Sequence, residues 1–177
     1  MQGNIADRDD FDDESKDDVG VTRLDLKPVE SPDNELLLTG CGWFWTGQLK
    51  YQRVDGVVRV VAGYSDGQQD NPTYEEIKDH TEALLVEFDS TQVTYEGLLI
   101  EWTKMHKPKK KVSNQYKSVV WYMNEEQEDI ARSIVQGWNS QFRTEFLFCT
   151  VEAATSFYQA EEYHQDYYLR TGQARFI

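Results

Sequence analysis

From Glu35 onward, short apolar and β-branched runs alternate with stretches whose apolar residues recur at helical spacing. That alternation points to an α/β or α+β sandwich built on a mixed sheet, and no internal repeat competes with it. Residues 35–39 read as a strand, followed by the glycine-flanked turn Gly40-Cys41-Gly42 and a helix over about 48–54. Residues 57–64 and 83–88 read as strands, with a loop from 65 to 81 between them. Thr94 is placed to cap a helix running to about His106, in which Tyr95, Leu98, Leu99, Trp102 and Met105 share one face. A strand at 119–123 precedes Asn124 and Gln127, which resemble a capping box opening a helix to about Trp138 with Ile130, Ile134 and Trp138 inward. Residues 145–151 give the last expected strand.

Residues 1–34 have a different character. Twelve acidic and four basic side chains fall within residues 1–36, contributing −8 of the chain's −14. The segment is therefore read as an extended acidic N-terminal tail, disordered or docked on a protein partner, preceding a domain over 35–177. Asp7, Asp9, Asp10, Asp12 and Asp13 lack the twelve-residue frame of a calcium loop. The acidic balance argues against nucleic acid as a partner, and the absence of about 18 consecutive apolar residues argues against a membrane span. Two cysteines, Cys41 and Cys149, are too few for a disulfide framework and lack metal-ligand spacing. A reducing compartment fits, the cytoplasm by default, or an organelle where a leader has been removed.

Seven short segments occur in an order that, taken together, is specific. They are Gly42-Trp43-Phe44-Trp45, Val54-Asp55-Gly56-Val57-Val58, Gly63-Tyr64, Asn71-Pro72-Thr73-Tyr74, His80-Thr81-Glu82, Asn114-Gln115-Tyr116-Lys117-Ser118 and Ala160-Glu161-Glu162-Tyr163-His164-Gln165. The chain resembles the peptide methionine sulfoxide reductase A family over roughly its last 140 residues. The resemblance implies that family's two-layer fold and its substrate class, the S epimer of methionine sulfoxide in a peptide or protein. It implies no bound cofactor and no metal, with thioredoxin or another thiol as reductant where the chemistry operates. Reduction requires a low-pKa thiolate to attack the sulfur, an acid to protonate the departing oxygen, and an apolar cup for the methyl group. By the resemblance, Phe44 and Trp45 match the cup, Glu82 the acid, and Tyr74 and Tyr116 the two phenols that hold the oxygen.

The nucleophile departs from the pattern. The family's hallmark is Gly-Cys-Phe-Trp-Gly, and a gap-free count places Trp43 where cysteine is expected, with Thr46 in place of the closing glycine. In the other alignment Gly40-Cys41 is the hallmark pair and Gly42-Trp43 is an insertion, which keeps Cys41 as a displaced nucleophile. Lys111 stands where the family has an aspartate, and the loops 74–82 and 106–116 are short for it. The first reading gives a catalytically impaired or inactive member used as a binding or assembly component, and the second an active thiol-dependent reductase. Phe44 and Trp45 also read as core aromatics, and Glu82 as a charge at a strand end. His80 and His164 read as hydrogen-bonded structural histidines, and Cys149 as a buried inert thiol. The lysines 107 and 109–111 read as a solvated loop, or as a contact for an acidic partner or for the acidic tail itself.

Overall fold

The computed structural model describes residues 21–105, 113–141 and 149–176. Among these residues seven strands form one sheet: β1 (Thr22–Leu24), β2 (Glu35–Cys41), β3 (Val57–Ser65), β4 (Thr81–Phe88), β5 (Ser118–Tyr122), β6 (Cys149–Ala153) and β7 (Phe157–Gln159). Their order is β1-β7-β3-β4-β2-β5-β6. Every pairing is antiparallel except β5 with β6, so the sheet is mixed. The parallel pair is joined through a helix, the connection such a pair requires.

β4 is central and buried along all eight residues, because both of its faces are covered. With side chains alternating by face, Leu84, Val86 and Phe88 join the larger core beneath the helices, while Ala83 and Leu85 join a smaller one behind the sheet. Glu82 therefore faces the helices and Glu87 the opposite side. The helical layer comprises α1 (Phe44–Tyr51), α2 (Tyr95–Met105) and α3 (Glu125–Gln141), with a short α4 (Tyr167–Arg170) near the C-terminus. Thr94 Oγ1 accepts the Gly97 N–H at 3.0 Å, capping α2 as its sequence predicts. At α3, Asn124 Oδ1 accepts the Gln127 N–H, while Gln127 reaches back to the Met123 N–H and donates to the Leu36 carbonyl of β2. No described helix is long and apolar enough to cross a membrane.

Several expectations are corrected. Among the described residues regular structure is already present at Thr22, ahead of Glu35: β1 pairs with β7, and Leu24 and Leu26 pack on the smaller core. The buried Glu87 carboxylate fastens the following segment, accepting N–H groups from Val29, Glu30 and Ser31, the Asn34 amide and the Arg59 guanidinium. Residues 21–34 are thus part of the domain; residues 1–20 lie outside the described ones. The helix expected at 48–54 starts earlier, at Phe44, and ends at Tyr51. β4 starts at Thr81, so Glu82 lies within the strand. β6 is followed by β7 and is not the last strand; residues 106–112, with Lys111 and the lysine run, and residues 142–148 lie outside the described ones.

Candidate active site

The site forms where β2 ends and α1 begins. Gly42, at φ +80°, occupies the left-handed region that glycine enters without a Cβ penalty, and it turns the strand into the helix. Trp43 takes the N-cap position but supplies no side-chain cap. The missing acceptor comes from β4: Glu82 Oε2 accepts the Phe44 N–H at 3.2 Å. Glu82 Oε1 accepts from Gln115 Nε2 at 2.9 Å. Glu82 is 2% exposed, and this burial, opposed by those two donors, pushes its pKa up to about 7. At neutral pH the group can supply or receive a proton, as an acid in the site would need to.

Tyr74 and Tyr116 come together beside it. Burial, the Glu82 charge and the neighbouring Tyr116 hydroxyl raise Tyr74 to about 12. The backbone of Tyr74 is held by Glu161, which accepts its N–H at 2.9 Å and the Tyr64 hydroxyl at 2.7 Å. Trp45 stacks on Tyr167 at 3.9 Å and 9°, and donates its Nε1–H to His164 Nδ1 at 3.2 Å. Trp43, Phe44, Trp45, Tyr74 and Glu82 line a cleft of about 40 Å³, room for roughly three water-sized groups. A larger surface depression of about 270 Å³, lined by Gln52, Val57 to Val60 and Asp166, contains none of these residues.

The two candidate positions for the nucleophile part company here. Trp43 is 61% exposed at the mouth of the cleft. Cys41 is the last residue of β2, is 8% exposed and does not line the cleft. Its Sγ lies 2.6 Å from where a Cβ on Gly47 would sit, inside the core under α1. Burial first, and the Glu82 charge second, push the thiol up to about 12, leaving essentially no thiolate at neutral pH. Cys149 opens β6, and burial raises its thiol as well.

His164 was expected to be structural, and it does accept a hydrogen bond, but it also sits inside the site: its ring centroid lies 4.5 Å from that of Tyr74 and 5.2 Å from that of Phe44. Burial lowers it to about 4, so the ring is neutral. Gln115, the partner of Glu82, is a functional residue that the sequence alone does not single out; its one signal there is its place beside Tyr116 as an uncharged donor. His80 is buried without the expected hydrogen bond, its Nδ1 3.4 Å from Asp79 Oδ1. Among the described residues no group of three or more His, Cys, Asp or Glu side chains is arranged to hold a metal.

A family model described as peptide methionine sulfoxide reductase matches residues 35–176. The chain belongs to this family. A peptide methionine sulfoxide reductase A of Nitratiruptor is 37% identical over 145 residues, 76% of this chain and 83% of that protein. A peptide methionine sulfoxide reductase of Brassica napus is 36% identical over 159 residues, 82% of this chain, and the chain spans 60% of that relative's length. The solved structure of methionine sulfoxide reductase A of Corynebacterium diphtheriae superposes with a TM-score of 0.69 at 26% identity, covering 80% of this chain and 77% of that one. The fold expected from the sequence, a methionine sulfoxide reductase A-like α/β sandwich, is the one observed.

Proposed function

We propose that this chain is a non-reducing member of the peptide methionine sulfoxide reductase family, one that retains the oxygen- and methyl-binding half of the site as a ligand-binding element. The observation that carries the reading is the exchange of positions at the start of α1: an exposed indole at Trp43 on the cleft, with the nearest thiol, Cys41, buried in the core. An indole carbon or nitrogen does not attack a sulfoxide sulfur as a thiolate does, and a thiol raised to about 12 is scarcely ionised. Glu82, Tyr74, Tyr116, Phe44 and Trp45 remain together, which supports retained recognition of a methionine-sulfoxide side chain. Thioredoxin or another thiol reductant then has no oxidised cysteine in the cleft to act on.

The test is turnover of a methionine-S-sulfoxide peptide under excess dithiothreitol by the parent chain, Cys41→Ser and Trp43→Cys. No turnover is expected from the first two. Trp43→Cys places a thiol at the N-terminus of α1 beside Glu82 and is expected to gain activity. Parent turnover that disappears in Cys41→Ser would defeat the proposal and establish a displaced nucleophile.

A further inference from the structure

Replacing a small thiol by an indole changes what the cleft can recognise. Its described lining consists of four aromatic residues, Trp43, Phe44, Trp45 and Tyr74, around the carboxylate of Glu82, and among the described residues none that lines it is basic. Tyr163, 43% exposed with its ring centroid 4.2 Å from that of His164, extends the aromatic surface outward. Glu161, which accepts the Tyr74 N–H, lies beside the same cleft. Ring faces are electron-rich and attract a positive centre, most strongly at tryptophan. A chain carrying −14 gathers cations toward such an opening over a longer range.

We propose that this cleft is an aromatic cage for an alkylated ammonium head group, the methylated side chain of a lysine in a protein partner. The inference rests on the reading that no thiol attacks within the cleft. Methylation is favoured over a bare ammonium by donor counting. A primary ammonium brings three N–H groups, whereas each Glu82 oxygen already accepts one hydrogen bond, from Phe44 N–H and from Gln115, which leaves the carboxylate at most one further acceptor site on each oxygen, fewer than the three donors need. Unsatisfied donors would be desolvated at a cost; each methyl group removes one and presents polarised C–H bonds to a ring. A lysine side chain suits the dimensions, because the cleft has room for a head group and little more, and the exposed Trp43, Tyr74 and Tyr163 are left to contact the flanking peptide.

Calorimetric titration of the full chain tests this with five probes: a peptide carrying trimethyl-lysine, the same peptide with lysine, with a neutral tert-butyl isostere, with methionine-S-sulfoxide, and tetramethylammonium chloride alone. Saturable binding is expected for trimethyl-lysine, roughly ten-fold tighter than for lysine or the isostere. It is expected to disappear in Trp43→Ala, whose exposed position leaves the fold unchanged by circular dichroism. Equal affinity for the neutral isostere, unchanged binding by Trp43→Ala, or no saturable binding overturns the cage. Tetramethylammonium binding as tightly as the peptide overturns the assignment to a lysine side chain. Binding of the sulfoxide peptide alone overturns the cage and leaves the non-reducing reading intact, while failure of that reading is seen separately as dithiothreitol-dependent turnover.

Discussion

Glu82 ordinarily titrates near 4.5, and burial raises it to about 7 in the folded chain, so between those values the folded state binds the proton that the unfolded state has released. Stability from this residue is fully present below about 4.5 and is lost as the pH rises toward 7. His164 behaves oppositely. Its pKa falls from 6.5 to about 4, so the unfolded chain takes up a proton that the fold refuses, and stability is lost as the pH falls from 6.5 to 4. His80, also lowered by burial, adds to that second trend. The two slopes offset each other over about 4.5–6.5. Glu82→Gln removes one of them, and thermal unfolding of the variant is expected to rise by about 5 °C or more from pH 4.5 to 6.5, against a flatter parent profile. An equally flat profile in the variant would show that the opposition is absent. Residues such as His164 were legible in the sequence as structural side chains and not as part of the site. Their placement in the site depends on Trp45, 119 residues away, and no local pattern encodes such a distance.

Among the elements, legibility followed the range of the interaction that fixes each boundary. The starts of α2 and α3 were readable because Thr94 and Asn124 bond N–H groups three residues ahead. The start of α1 was misplaced because its acceptor is Glu82, 38 residues distant. β1 and β7 are three residues long and exist through pairing with distant strands, which leaves no periodic signature. α1 also depends on Gly47. A Cβ there would lie 2.5 Å from Leu84 Cδ1 and 2.6 Å from Cys41 Sγ, so Gly47→Ala must displace the helix or both neighbours. Its expected cost is about 1–3 kcal/mol in urea unfolding despite alanine's better helix propensity. A stabilised variant would mean that α1 does not pack this closely.

For the molecule as a whole, the segment from β1 to β2 acts as a second cover. It closes the face of the sheet opposite the helices, and Glu87 is its fastening. Burial pushes Glu87 up, but the Asn34 amide and the N–H groups of Val29, Glu30 and Ser31 outweigh it and hold the carboxyl below its usual range. Glu87→Ala leaves those donors without their acceptor, and a loss of a few kcal/mol is expected, with increased protease cleavage within 25–34. Unchanged cleavage would show that the segment is held by Leu24 and Leu26 alone. The acidic composition of residues 1–36 concealed this cover, because the two leucines that anchor it are outnumbered by charges.

Both thiols of this chain, Cys41 and Cys149, are sealed by the fold, at 8% and 9% exposure. A maleimide or iodoacetamide should therefore ignore the native protein and mark it only after it opens. Alkylation becomes a clock for unfolding, and a survey that finds redox-active proteins by tagging their thiols would pass over this one while it is folded.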